Sequence, residues 1–399
     1  MSEWKEMKLG QLITIKGGYS YKGEFIGRGD SILLGMGCVS NRDKFLFSGA
    51  RAYFGSCPES HLADIGDLVL ATRQQSDNLP ILGLPAIIPP EFSNKKVIVG
   101  TNLYKVINTS DVSNKFIYWL LRSPEYYNHI LSSAKGSTVR MITKDAVESF
   151  NFMCPSKEDR DNIENTLSSL DDKIDLLHRN NKTLEQLAET LFRQWLKTLG
   201  NREFTKLGDY VKIQNGYAFK SSDFKESGNN GVLKITNISS GKIDINNTQF
   251  VEDNIIKNLS EKYLAHSMSF LIAMTGAEIG KIGIVGKTKR KLFINQRVGK
   301  LMDVFDNSSF IGYLFLNSAE GQEHIINTCT GSAQENISSL GIESMLVPQS
   351  MPEEIVDFCQ KIKPLFEKVI SNYEQIYKLE TLLDLFLPKL MNGSIRVEN

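Results

Sequence analysis

Lys8-Leu-Gly-Gln-Leu-Ile-Thr-Ile-Lys-Gly-Gly-Tyr-Ser-Tyr-Lys22 returns as Lys206-Leu-Gly-Asp-Tyr-Val-Lys-Ile-Gln-Asn-Gly-Tyr-Ala-Phe-Lys220. At a shift of 198 residues, 7 of these 15 positions are identical. A second block, 114–149, matches 309–344 at a shift of 195, with 11 of 36 positions identical. Among them are Tyr118/Tyr313, Ser123/Ser318, Glu125/Glu320, His129/His324, Gly136/Gly331, Ser137/Ser332, Ile142/Ile337 and Glu148/Glu343. The change of shift is what loops of unequal length produce between two copies of one module. A proline follows each second block, Pro155 and Pro348, and a long helical pattern follows each proline. The chain therefore reads as domain, helix, domain, helix, over 1–155, 156–199, 200–350 and 351–399.

Within each domain, short β-like runs separated by Gly, Asn, Asp and Pro come first. They are 12–15, 32–34, 67–71, 97–99 and 103–107, then 211–213, 232–235, 269–273, 283–285 and 300–302. One amphipathic helix is expected over 114–133 and again over 309–328. The fold class is α+β, with two similar strand-rich domains.

The long helices carry a coiled-coil pattern. Apolar residues from Ile163 step by four and three through Leu167, Leu170, Ile174 and Leu177, then Leu184, Ala188, Leu191 and Trp195. Asn181 breaks the series at an a position. The second series runs Ile355, Phe358, Ile362, Leu365, Val369, then Ile376, Leu379, Leu383, Phe386 and Leu390, broken by Asn372 at a d position. In an antiparallel pair a faces d, so the two helices are expected to pair antiparallel with Asn181 against Asn372. A buried Asn costs stability and fixes register, because a slipped partner leaves its amide unpaired. Pro364 should kink the second helix or start it anew.

Length and composition bound the function. The 399 residues suffice for two domains, and the 41% hydrophobic and 23% charged fractions are those of a globular chain. Net charge is zero, so any nucleic acid would be held by local patches rather than by a basic coat. The five cysteines form no CxxC pair and no metal spacing with histidine. A polar start and the lack of an 18-residue apolar run make a cytoplasmic protein, with no membrane role, the expectation.

Catalytic motifs are missing. Asn78-Leu-Pro-Ile81 fails as a base-clamping loop, and Gly35-Met-Gly37 lacks the third glycine of a dinucleotide fingerprint. Gly276-Ala-Glu-Ile-Gly-Lys281 is one residue short of a phosphate loop. His129 and His324 repeat without a second ligand at metal or triad spacing, which suits packing better than catalysis. The expectation is no catalytic residue and no metal site.

Candidate DNA contacts come from side-chain chemistry. Lys281–Lys300 holds seven basic residues and no acid, including Lys281, Lys287, Lys289, Arg290 and Arg297, and would suit phosphates. The repeated glycine loops offer a flexible turn with Lys16, Tyr19 and Lys22, and with Asn215, Tyr217 and Lys220. Arg73, Gln74 and Gln75 in one copy, and Gln334 and Asn336 in the other, are types that reach base edges bidentately. Lys135, Ser137 and Arg140 flank the same loop as Ser332, Gln334 and Asn336. There the copies keep a frame and differ in chemistry, as two heads reading different sequences would. The same residues leave open a scaffold that binds protein partners through its two domains.

Leu387-Pro-Lys-Leu-Met-Asn-Gly-Ser-Ile-Arg-Val397 resembles the C-terminal signature of the specificity subunits of Type I restriction–modification systems. Leu170-Asp-Asp-Lys-Ile-Asp-Leu-Leu, with Leu184-Glu-Gln-Leu and Leu191-Phe-Arg-Gln-Trp195, resembles their central conserved helix; Trp4 and the two Lys-Leu-Gly starts also fit. The resemblance covers essentially the whole chain. It implies two target-recognition domains on double-stranded DNA with a bipartite, asymmetric target, and helices that set the spacer. It also implies docking of two modification subunits carrying S-adenosylmethionine, with restriction subunits using ATP and Mg in the full complex. No cofactor is then expected in this chain. A fused restriction–methylation partner fits the same residues.

Overall fold

The computed structural model describes residues 4–74, 80–136, 139–239, 241–330 and 335–397. The chain divides into two compact units, residues 1–172 with 379–399 and residues 173–378. Each unit holds one strand-rich head and one stretch of each long helix.

The first head opens with Lys5–Lys8 paired antiparallel to Asn151–Cys154, which ties the start of the head to its end. Its central sheet has the order Ile13–Gly17, Leu103–Asn108, Leu68–Ala71, Pro85–Ile87. A second sheet runs Ala50–Tyr53, Ile26–Leu34, Val97–Val99, Leu62–Ala63, with Ile26–Leu34 and Val97–Val99 parallel. The second head repeats this plan. Phe204–Lys206 pairs with Leu346–Pro348. The sheet Val211–Asn215, Val298–Asp303, Phe270–Ala273, Ile282–Ile284 has the same order and is extended by Gly241–Ile243 and Ile238–Ser239. Asn230–Leu233 lies parallel to Lys291–Ile294, the counterpart of the parallel pair in the first head.

The single helix expected over 114–133 is two, Asn114–Leu120 and Pro124–Ser133. Ser123 accepts from the Tyr126 N–H and Pro124 follows it, so the second helix starts afresh with its own cap. The other copy breaks likewise into Ser309–Asn317 and Ala319–Thr328, with Ser318 accepting from the Gly321 N–H.

Residues shared by the copies hold this frame. Glu148 Oε1 accepts the Ile15 N–H at 2.7 Å, and Glu343 Oε1 accepts the Ile213 N–H at 2.8 Å. His129 Nε2 lies 2.8 Å from the Ala146 carbonyl, and His324 Nε2 lies 2.8 Å from the Gly341 carbonyl. The repeated histidines therefore lock a helix to the following short one. Glu343→Ala leaves a strand N–H of the central sheet without its charged acceptor, so it should lower stability by about 2 kcal/mol. Glu343→Gln should keep most of that stability, which urea denaturation midpoints will read.

Lys157–Leu199 and Pro352–Met391 are the long helices, of 43 and 40 residues. The second runs unbroken through Pro364, contrary to a restart there; tertiary packing on both sides of the proline outweighs the one lost hydrogen bond. In the first unit, Ile163 and Leu167 share a core with Leu387, Leu390 and Met391. In the second unit, Ala188 and Phe192 share one with Ile355, Phe358, Ile362, Phe366 and Ile370. There Trp195 stacks on Phe358 at 4.9 Å, and Asn372 Nδ2 donates to Asn181 Oδ1 at 2.7 Å, so the helices run antiparallel. Both asparagines are buried, 3% and 0% exposed. The chain's C-terminal signature completes the first head: Gly393 turns at φ +73° against the Trp4 ring, and Ile395 and Val397 pack on the same core. Trp4 Nε1 in turn donates to Asp159 on the first long helix at 2.9 Å.

Candidate nucleic-acid interface

One edge recurs at the same place in both heads, where the strands Leu68–Ala71 and Phe270–Ala273 end. In the first head the Thr72 N–H donates to the Asn102 carbonyl at 3.1 Å, and the Ile142 N–H donates to the Thr72 carbonyl at 3.2 Å. In the second the Met274 N–H donates to the Arg297 carbonyl at 3.0 Å, and the Ile337 N–H donates to the Met274 carbonyl at 3.0 Å. The next residue forward pairs across the edge in each head: Arg73 with Met141, Thr275 with Asn336. Lys135 bridges to Met141 as Thr330 bridges to Asn336. The backbone frame is the same and the exposed chemistry differs. The first edge presents Arg73, Lys135 and Arg140 with Asn102; the second presents Glu335 and Asn336 with Arg297. Thr275, in the place of Arg73, is buried and its hydroxyl donates to the Glu335 carbonyl at 3.0 Å, so it holds the frame. Arg297 Nη1 lies 3.5 Å from Asn336 Oδ1, a long contact that leaves most of the guanidinium's donors available.

The edge thus brings together Arg73, Lys135 and Arg140 in one copy, and Arg297 and Asn336 in the other. Lys281 joins the second edge, because its carbonyl accepts the Ala273 N–H at 2.9 Å. Its ammonium is paired with Glu278. Gln75, Ser137, Ser332 and Gln334 lie outside the described residues. Sequence reasoning missed Asn102 and Glu335. Asn102 and Arg297 sit at the same 195-residue shift as the second repeat block, but almost nothing else in that strand is identical, so only the hydrogen bonds reveal the match.

Other expected contacts are corrected. Gln74 is 5% exposed and its Oε1 accepts the Leu82 N–H at 3.4 Å, so it is a packing residue. The glycine loops are not flexible turns: a Cβ on Gly18 would lie 1.9 Å from the Gly100 carbonyl oxygen, and one on Gly216 would lie 2.2 Å from that of Asn295. Their tyrosines are taken up by their own heads. Tyr19 donates to the Ser56 carbonyl at 3.0 Å beside His61, and Tyr217 packs edge-on against Phe219 and Tyr263. Lys16 is half-buried in the central sheet, next to Lys105. Burial, then Lys16 and Lys105, hold the His61 pKa below its ordinary value. Asn215 Oδ1 accepts from Ser339 at 2.6 Å, while Lys22 and Lys220 are exposed.

The basic run Lys281–Lys300 is not one stripe. Its strands fold it so that Lys281 and Arg297 stand at the edge, while Lys287, Lys289 and Arg290 occupy the loop at the other end of Ile282–Ile284. Lys287 lies 3.7 Å from Glu374 on the second long helix, Arg290 lies 5.8 Å over the Phe250 ring, and Lys300 is buried. The run crosses from one sheet to another and back, which separates residues that are close in sequence.

Among the described residues, no group of three or more His, Cys, Asp or Glu side chains is placed to hold a metal ion. No described helix is long and apolar enough to cross a membrane.

The model of the Type I restriction modification DNA specificity domain matches twice, over residues 1–186 and 200–367. The Type I restriction enzyme HindI specificity subunit of Haemophilus influenzae is 24% identical over 99% of this chain and 100% of its own. The MjaIX specificity subunit of Methanocaldococcus jannaschii is 22% identical over 73% of this chain and 72% of its own. Among solved structures, the S subunit of the Type I restriction–modification system of M. genitalium superposes with a TM-score of 0.58 at 16% identity, covering 98% of this chain and 96% of that one.

Proposed function

The chain belongs to the Type I restriction modification DNA specificity family, whose role is DNA sequence recognition, and on that premise we propose that its two heads read the two halves of a bipartite, asymmetric target. The observation that carries this reading is the repeated edge. Two backbones held by matching hydrogen bonds present Arg73, Lys135, Arg140 and Asn102 in one head and Arg297, Glu335 and Asn336 in the other. Arg matches guanine and Asn matches adenine in the major groove, so unlike sets on one frame favour unlike half-sites. The long helices set the spacer between halves and carry two modification subunits. Catalysis then belongs to those partners, with S-adenosylmethionine, and to restriction subunits using ATP and Mg. This chain contributes recognition without chemistry of its own.

The test exchanges residues 200–350 for those of a relative, in a host carrying the partner genes, and sequences the methylated bases. One half of the methylated motif should change and the other half and the spacer should stay. A change in both halves, or in neither, defeats the assignment of one half to each head. Arg297→Gln should alter one base position in one half; uniform weakening on all sequences would make Arg297 a phosphate contact instead.

A further inference from the structure

Lys105 and Lys300 occupy the same place in the two heads. Each ammonium donates to a leucine carbonyl, Lys105 to Leu62 and Lys300 to Leu264, the latter at 2.6 Å. In the first head Asp67 Oδ2 lies 3.5 Å from Lys105 Nζ. The turn that carries Asp67 is also repeated. The Asp64 N–H donates to Asp67 Oδ2 at 3.0 Å and the Asp67 N–H to the Asp64 carbonyl at 3.1 Å. In the second head the His266 N–H donates to Ser269 Oγ at 3.0 Å and the Ser269 N–H to the His266 carbonyl at 3.0 Å. Ser269 therefore stands where Asp67 stands. The second head has kept the lysine and lost its carboxylate.

Lys300 is 5% exposed, and no ion pair to it occurs among the described residues. Burial pushes its pKa below the ordinary lysine value. A buried cation calls for a counter-charge. Beside it lies a cleft of about 310 Å³, whose lining includes His266, Ser267, Ser269, Lys300, Ser309 and Lys363. Asp303 also borders the cleft, but its Oδ1 accepts the Ser309 N–H at 2.6 Å and so is committed to the start of a helix. The turn over the cleft places Met268 at φ +70°, where the first head uses Gly66 at φ +83°. A non-glycine residue in that region is strained and is held there by its surroundings; Met268 packs on the main core of its head.

We propose that this cleft binds a phosphate-class oxyanion, which supplies to Lys300 the negative charge that Asp67 supplies to Lys105. Ser267, Ser269 and Lys363 provide the further donors such an ion needs. The ion is either free phosphate or a backbone phosphodiester of DNA; only the second source rests on the DNA-reading assignment.

The test uses the full chain and inorganic phosphate in a low-chloride buffer, followed by calorimetric titration and by the phosphate-induced shift in Tm. Wild type should saturate at one ion per chain and melt higher with phosphate. Ser269→Asp rebuilds the internal carboxylate, so phosphate binding should weaken at least tenfold while Tm without phosphate rises. Lys363→Gln, at the half-buried rim and away from the core, should weaken binding with the fold unchanged, and it decides the matter if Ser269→Asp does not fold. A duplex DNA arm separates the sources. If the ion is a backbone phosphate, Ser269→Asp should reduce the slope of log Kd against log salt by about one. An unaltered slope with lost phosphate binding assigns a free anion. If phosphate does not saturate wild type and neither variant changes the slope, the proposal fails.

Discussion

Gly216→Ala should cost the second head at least about 3 kcal/mol of stability, against less than about 0.5 kcal/mol for Gly17→Ala. The difference lies in what a methyl group would meet. At Gly216 an added Cβ would sit 2.2 Å from the Asn295 carbonyl oxygen and 2.4 Å from that of Ile294. Those are backbone atoms already in use, for the Ile294 carbonyl accepts the Tyr217 N–H at 2.9 Å and the Gly216 N–H donates to the Val298 carbonyl at 3.0 Å. Neither side can yield without opening the sheet. Gly18 repeats the arrangement, with a Cβ 1.9 Å from the Gly100 carbonyl oxygen. Gly17, one residue earlier, has nothing within 4 Å of its Cβ position. Urea midpoints of the three alanine variants measure the effect, and hydrogen exchange over residues 204–350 locates it for Gly216→Ala. Equal costs at Gly17 and Gly18 would return these glycines to flexible loops.

That contrast shows where the sequence was readable. The repeat spacing exposed the two-head plan, and the four-three apolar steps exposed the long helices, because both are periodic signals summed over many residues. Asn181 and Asn372 stood out as lone polar interruptions of such a signal. The glycine–tyrosine motif was visible as a repeat, yet its role was misread. Close backbone approach and a mobile turn both require glycine, and only the Gly100 and Asn295 carbonyls distinguish them. The basic run Lys281–Lys300 failed for a similar reason. Charge counted along the chain says nothing about which strand end each side chain reaches, and Lys287 and Arg297 went to opposite ends of one head. The edge itself was half visible. Arg73, Arg140 and Asn336 were picked out by chemistry, whereas Asn102 became visible only through the hydrogen bonds that match it to Arg297 across the copies.

Asn181→Leu alone should lower stability by about 1–3 kcal/mol, and the double change Asn181→Leu with Asn372→Leu should restore it to wild type or above. In wild type the Asn372 amide donates to Asn181 at 2.7 Å, while Asn181 Nδ2 and Asn372 Oδ1 are buried without partners. The pair is therefore already a compromise, half satisfied in an apolar seam. Removing one member strands the other amide entirely, and removing both deletes the whole desolvation cost. What the pair does for register is a question of magnitude. A slip of one heptad moves one helix about 10 Å along the other. It would pull Phe192 and Ile355, Phe358, Ile362 and Phe366 from one core, and Ile163, Leu167, Leu387 and Leu390 from the other. At roughly 1.5–3 kcal/mol for each buried side chain, that loss exceeds any penalty two asparagines impose. The head cores, not the asparagines, then hold the final register. The double leucine variant should accordingly melt no lower than wild type and methylate sites with the same spacer. A mixture of spacer lengths in its methylated sites would show instead that the Asn181–Asn372 pair holds the register.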